Sequence, residues 1–303
     1  DRCERVLLTD LTWPPYLLWM LEHFGSSGID VSLLPLKHAV WKEGRSADDI
    51  AEMILTQLQT KNCDGLFLPA ITHTGIKLPV ATILNELHHQ RAHTATVVDA
   101  SQAFGHIVTN SWSHLADFTF GGMHKWVRAY LPLAVGFTKH DGSSIRTSLP
   151  AEFLPNYRNE TMNFSPLITT CGALSDICAK DCVGHESIIS ASQKRLSEEE
   201  WDLITPDGTM QSRIRLIRCH LNANPLILRT MLVGRGIAAT VFADGTVRLS
   251  LGVTRDIVKI NDWTKESPKE NGVNSILAMG SGQCDDSGSV ACVAISDRAA
   301  GSG

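Results

Sequence analysis

The 303-residue chain lacks several things that narrow its class before any motif is read. No apolar run reaches the roughly 18 to 20 residues that a membrane-spanning helix needs, so no membrane partner is expected. The opening "DRCERVLLTD" has neither the apolar centre of a secretory leader nor an initiator methionine, and the chain reads as trimmed or as a fragment. There is no basic surplus: 27 Lys and Arg stand against 32 Asp and Glu, for a net charge of -5, which speaks against a general nucleic-acid binder. Eight cysteines are scattered without the density of a disulfide framework, the usage expected of reduced thiols in a cytoplasmic protein. No Gly-x-Gly-x-x-Gly follows the first strand-like run, so a dinucleotide-binding module lacks its fingerprint. Internal repeats and heptads are also missing.

Hydrophobic residues make up 43% of the chain and charged residues 19%, the balance of a soluble globular protein with a substantial core. The first half alternates two kinds of segment. "RVLLTD", "DVSLLPL", "CDGLFLPA", "TATVVDA", "DFTFGG" and "LAVGFTK" read as strands. "PPYLLWMLEHFGSSG", "SADDIAEMILTQLQT" with Ser46 as its cap, and "PVATILNELHHQRA" read as helices. This alternation predicts an α/β domain over 1–184, with a mainly parallel sheet and flanking helices. "LITTCGALSDICAKD" adds a helix near its end.

Past Gly184 the rhythm changes. "HESIISASQKRLSEEEWDLI" reads as one long helical stretch, "RIRLIRCHL" as a strand, "NPLILRTMLVGRG" as a helix, "GTVRLSLG" as a strand and "DIVKINDW" as a helical start. These segments predict a smaller α+β domain over 185–263. Residues 264–303 are rich in Gly, Ser, Asp and Lys. They offer little apolar surface to offset the cost of ordering, so a flexible tail is expected there.

Two clusters of chemistry-bearing side chains stand out. Cys178, Cys182 and His185 share one helical face. Structural zinc takes four ligands and usually a close Cys pair, so the expectation is a half-buried face and no metal. The second cluster is carried by strand ends: Asp99 closes one strand, and His124 and Lys125 follow another. In open α/β sheets, ligands bind outside the carboxyl ends of the strands, which puts all three residues on one rim. On spacing alone, Asp99 and Lys125 are either a structural ion pair or a chemical pair.

The surrounding residues carry a family resemblance. "VVDASQAFGHI" resembles the Asp-x-x-Gln-x-x-Gly run of the pyridoxal-phosphate enzymes of the class V aminotransferase family, fold type I. "ADFTFGGMHKW" resembles the segment ending in that family's His-Lys. "ERVLLTDLTWPPYLLWM" resembles its earlier strand and turn, "ITHTGIKLP" its Ser/Asn-x-x-Gly turn, "YRNETMNFSPL" its Gly-Thr loop and "VRLSLGV" its Arg-x-Ser strand. The six matches occur in family order over residues 1 to 263.

This resemblance implies roles. Lys125 is the lysine that forms the Schiff base with pyridoxal 5'-phosphate, and it acts as the proton shuttle at the substrate's α carbon. Asp99 keeps the pyridine nitrogen protonated, as an electron sink requires. Gln102 bonds the phenolic oxygen, His124 contacts the cofactor or its phosphate and joins Lys125 and Asp99 as a catalytic residue, and Trp13 stacks on the ring. Thr72 heads the Gly turn at the cofactor, and Thr161, with Arg158 nearby, binds phosphate from a neighbouring subunit. Arg248 takes the substrate carboxylate through its two-pronged guanidinium.

The implied assembly is a homodimer, and the implied substrate is an amino acid or amine. The family's N-terminal segment, with its phosphate-binding helix start, has no counterpart here. Gly122 stands where many relatives carry Ser or Thr, Glu160 stands where Gly is usual, and "VRAYLPLAVGF" has no Gly-Pro-x-Gly. Cysteine desulfurases of the family need a Cys on a loop shortly before the carboxylate Arg. "LRTMLVGRGIAATVFADGT" has none, so aminotransferase, epimerase or lyase chemistry is expected instead. The rival expectation is a truncated or degenerate relative kept as a binding or assembly partner.

Overall fold

A computed structural model describes residues 3–90, 92–138, 164–179, 201–206, 208–219, 224–234 and 239–250. The chain divides into two compact units. The first comprises Asp1–Gly184 and Thr205–Ile214; the second comprises His185–Ile204 and Arg215–Gly303.

The first unit is built on six strands: β1 (Arg5–Thr9), β2 (Asp30–Leu34), β3 (Gly65–Pro69), β4 (Ala95–Asp99), β5 (Phe118–Gly122) and β6 (Ala134–Thr138). Their spatial order is β2-β1-β3-β4-β5-β6. The first five are parallel, and β6 runs antiparallel to β5 with Phe118 opposite Thr138. All six strands expected from the sequence are present, in a mainly parallel sheet with flanking helices.

Alternation along each strand explains how the layers form, because successive side chains leave opposite faces. Val6, Leu8 and Phe67 point to one face and pack with Met20 of α1 (Pro14–Ser26). Leu7, Leu66 and Leu68 point to the other, where α2 (Leu36–Trp41), α3 (Ala47–Thr60) and α4 (Val80–His89) supply Leu36, Ile50, Ile54 and Ile83. Leu7 is completely buried, and cutting it back to Ala would cost about 2–5 kcal/mol.

The helix starts follow from local chemistry. Pro14 and Pro15 open α1, where their missing N–H groups would have had no helical partner anyway. Ser46 and Asp49 form a reciprocal capping box on α3: the Asp49 N–H donates to Ser46 Oγ at 3.2 Å, and the Ser46 N–H donates to Asp49 Oδ2 at 2.9 Å. The sequence reading did not separate α2 as a helix. It is six residues long and is started by a distant group, since Asp10 Oδ1 accepts from Leu36 N at 2.8 Å and Lys37 N at 3.0 Å.

Thr205–Ile214 joins the first unit through the turn that follows β3. The Lys77 N–H donates to the Met210 carbonyl at 2.8 Å, and Ser212 Oγ donates to the Gly75 carbonyl at 2.7 Å. Gly75 has φ +93°, and an added Cβ would run into the Ile214 carbonyl, so the turn requires glycine. Another helix, α5 (Ser165–Ala179), places Ala173 against Met123, Val127 and Ala129.

The second unit holds β7 (Trp201–Leu203), β8 (Ile214–Cys219) from Arg215 onward, α6 (Pro225–Gly234), β9 (Thr240–Val241) and β10 (Thr246–Ser250). Its sheet order is β7-β8-β10-β9. Leu228 and Leu232 of α6 pack on Ile217, Val247 and Leu249. One sequence expectation is corrected here: Trp201–Leu203, read as the end of a long helix, is a strand. Leu203 pairs opposite Ile217 of β8, so sheet pairing overrides the helical propensity of the preceding glutamates. The rest of that stretch, "DIVKINDW", Cys182, His185 and residues 264–303 lie outside the described residues. Among the described residues, no helix is long and apolar enough to cross a membrane.

Candidate active site

Because β1 to β5 are parallel, their carboxyl ends form one edge. Trp13 follows β1, Thr72 follows β3, Asp99 to Gln102 follow β4, and His124 and Lys125 follow β5. Asp99 lies in the middle of this edge, opposite Pro69 on one side and Phe120 on the other. The Ala70 N–H donates to the Asp99 carbonyl at 2.8 Å, and the Ala100 N–H donates to the Phe120 carbonyl at 2.7 Å. Six of the eight expected site residues therefore share one rim. Arg248 lies on β10 of the second unit, and Thr161 lies outside the described residues.

Asp99 is 8% exposed, and its Oδ1 accepts the Ser101 N–H at 2.8 Å. Among the described residues, it forms no ion pair with Lys125 or with any other cation. Among the described residues, the Asp99–Lys125 ion pair left open by spacing is thus not formed. The Tyr16 phenol is pushed up by burial and then by the charge of Asp99, which puts this tyrosine in the electrostatic neighbourhood of the carboxylate. The Tyr16 ring meets Trp13 edge to face at 4.8 Å. Trp13 occupies the position just before α1, makes no side-chain capping bond there, and is 40% exposed. Sequence reasoning missed Tyr16, although its spacing of three from Trp13 across a helix start was an available signal.

Gln102 is 9% exposed. Its Oε1 accepts the indole N–H of Trp126 at 2.9 Å, and its backbone carbonyl accepts His106 Nδ1–H at 2.7 Å. The other ring nitrogen of His106, Nε2, accepts the Arg213 N–H at 2.9 Å. A carbonyl only accepts and an amide N–H only donates, so His106 is the neutral tautomer with its proton on Nδ1. The His106 ring stacks on Trp126 at 3.8 Å, and the Arg213 guanidinium lies 4.9 Å from the Trp126 ring centre. Gly105, at φ +72°, lets this loop press on the backbone of Trp126 and Val127, where an added Cβ would come within 2.9 Å. None of Trp126, His106 and Arg213 was singled out from the sequence.

Lys125 is half-buried and His124 is exposed. The His124 imidazole is held below its ordinary value by burial and then by the Lys125 charge. Thr72 is buried, and its hydroxyl accepts the Ile76 N–H at 3.0 Å and pairs with Thr74 Oγ1 at 2.9 Å. That hydroxyl shapes the turn leading to Gly75. Among the described residues, no cluster of three or more His, Cys, Asp or Glu side chains is arranged to hold a metal ion.

No family model and no curated protein matches the sequence. Solved structures do match the fold. A cysteine desulfurase from Thermococcus onnurineus is 15% identical at TM-score 0.65, over 88% of this chain and 74% of its own. An alanine–glyoxylate aminotransferase from Nostoc sp. is 13% identical at TM-score 0.66, over 88% and 75%. A ureidoglycine–glyoxylate aminotransferase from Bacillus subtilis is 16% identical at TM-score 0.64, over 86% and 72%. The chain has the fold of the class V aminotransferases and cysteine desulfurases, the fold type I expected from its motifs. At these identities the likeness is one of fold; the chemistry must be argued from the site.

Proposed function

We propose that the chain is a pyridoxal-phosphate-dependent enzyme acting at the α carbon of an amino acid or amine. The observation that carries this reading is Asp99. A buried carboxylate without a cation is costly; Asp99 has no cation among the described residues, and the fold fixes it at the strand edge with one oxygen anchored by the Ser101 N–H. A protonated pyridine nitrogen is the partner such a group fits. When bound, the cofactor supplies an electron sink for the charge that develops at the α carbon.

The chain's own residues do the rest. Lys125 would hold the cofactor through its side-chain amine and would move the proton at the substrate's α carbon. Trp13, with Tyr16 against its edge, offers a flat apolar face that excludes water from one side of the ring. The Gln102 amide donates to the phenolic oxygen. Arg248 receives the substrate carboxylate and Thr161 the phosphate, and the working protein is a homodimer, as the resemblance implies. Aminotransferase, epimerase and lyase chemistry remain the candidates. Cysteine desulfurase is disfavoured because Cys219 ends strand β8 and no cysteine occupies the loop before Arg248.

A second reading, a non-catalytic relative, has one observation in its favour. Gly122 stands where many relatives carry a hydroxyl, and the exposed His124 ring lies over the position that such a side chain would take. One experiment separates the two. Purified protein mixed with pyridoxal phosphate and treated with borohydride should carry the cofactor mass on the Lys125 peptide, and Lys125→Ala should carry none. Unmodified wild-type protein would overturn the enzyme reading. Sedimentation of the same sample tests the dimer.

A further inference from the structure

We propose that Trp126 is a positioning residue: its indole N–H, steadied by the His106 and Arg213 contacts, fixes which end of the Gln102 amide faces the reacting group. This inference rests on the proposed cofactor and deepens that reading. A glutamine amide has an accepting end and a donating end that differ little in shape, so an isolated amide flips between them. The indole nitrogen only donates. The 2.9 Å bond from Trp126 Nε1 therefore requires Gln102 Oε1 on that side and leaves the N–H2 on the other. Among the described residues, no acceptor is bonded to that N–H2. In a residue only 9% exposed, an amide with its oxygen occupied and, among the described residues, no acceptor on its nitrogen is set to donate to an oxygen acceptor such as the cofactor's phenolate.

Trp126 is itself held in place. His106 stacks on its ring at 3.8 Å and is fixed in turn by two bonds, to the Gln102 carbonyl at 2.7 Å and from the Arg213 N–H at 2.9 Å. Arg213 also donates to the His106 carbonyl at 3.3 Å and the Gly105 carbonyl at 3.4 Å. Residues separated by more than a hundred positions thus hold the amide of a residue three places after Asp99. Trp126 follows Lys125 directly, so the same turn carries the lysine and sets the amide.

The test removes the N–H and keeps the ring. Trp126→Phe retains an aromatic face for His106 and Arg213 but frees the Gln102 amide to flip. The readout is the pH titration of the visible band of bound pyridoxal phosphate. Loss of a fixed donor to the phenolate makes the neighbouring lysine nitrogen more basic, so the titration midpoint should move up by about 0.5 to 1 pH unit. In a Gln102→Ala background, the same Trp126→Phe change should add nothing, because the group it orients is gone. A wild-type midpoint in Trp126→Phe would overturn the proposal while leaving the cofactor reading intact. So would equal shifts in both backgrounds. A wild-type protein with no band and no borohydride-fixed cofactor would overturn the functional reading and this inference with it. Should Trp126→Phe fail to fold, a benzothiophene analogue of tryptophan at position 126 deletes the N–H at nearly constant shape and is judged by the same midpoints.

Discussion

The His124 imidazole folds back over Gly122: a Cβ on residue 122 would lie 2.7 Å from Cε1 and 3.0 Å from Nδ1. The sequence marks Gly122 as a departure, since relatives of the resembled family often carry Ser or Thr there. The structure gives a physical counterpart, because ring and side chain compete for one space. Gly122→Ser should displace an exposed ring that is free to swing, so stability should change by less than about 1 kcal/mol. The sensitive measurement is the His124 titration by NMR. Burial and the Lys125 charge depress it in the wild type, so release of the ring should raise it toward the ordinary value. The sign for stability follows. A histidine with a depressed folded-state value adds stability above its unfolded value of about 6.5, and that stability is lost as pH falls through the folded-state value. Gly122→Ser should weaken this dependence. An unmoved His124 titration would place the ring elsewhere.

Arg128 has φ +62°, a left-handed backbone in a non-glycine residue three positions after Lys125. It falls in the stretch where the sequence lacks the family's Gly-Pro-x-Gly. A Cβ in this conformation is strained by about 1 kcal/mol. Arg128→Gly should therefore raise stability by about 0.5–1 kcal/mol in urea denaturation, whereas Arg128→Ala should bring no such gain. A loss in both variants would show that the arginine side chain contributes more than the backbone costs.

The strand edges of the first unit were legible because buried parallel strands announce themselves as short apolar runs between turns, and a helix cap such as Ser46–Asp49 is written in four consecutive residues. Asp99, Gln102, His124 and Lys125 were legible because strand ends and the motif place them. Trp126, His106 and Arg213 were not, since nothing local links Gln102 to a tryptophan 24 residues later or His106 to a backbone N–H 107 residues later. Likewise β7 reads as helix because Ser197–Glu200 favours one, and only the partner strand β8 shows otherwise.

Asp64 ties the start of β1 to the start of β3. Its carboxylate accepts Arg5 N–H at 2.8 Å, Glu4 N–H at 2.9 Å and the Cys3 thiol at 3.1 Å. Burial opposes its charge, but the bonds from Arg5, Glu4 and Cys3 outweigh that and draw it down to about 2. Since the folded-state value is depressed, the stabilisation is complete above the unfolded value of about 3.9 and is lost as pH falls through about 2. Asp64→Asn should cost about 1 kcal/mol near neutral pH, allowing for solvent around the group. The gap between the two denaturation curves should close as acid is added. A gap that stays constant down to pH 2 would mean that the charge contributes nothing.

Asp99→Asn tests the group on which the functional reading stands. The fold should survive, because an asparagine oxygen can still accept the Ser101 N–H that Asp99 Oδ1 accepts at 2.8 Å. What disappears is the charge, and two measurements follow it separately. The Tyr16 phenol is raised by burial and by Asp99, so removing the carboxylate should lower its titration toward the ordinary value while burial keeps it from falling all the way. That shift reports the electrostatic link whether or not the protein turns over substrate. Activity reports the chemistry. A neutral amide cannot hold a pyridine proton by charge, so turnover should fall by more than about tenfold, or 1.4 kcal/mol of transition-state stabilisation. A Tyr16 titration that moves as expected, beside a loss in turnover of less than tenfold, would keep Asp99 at the strand edge but remove it from the reacting ring.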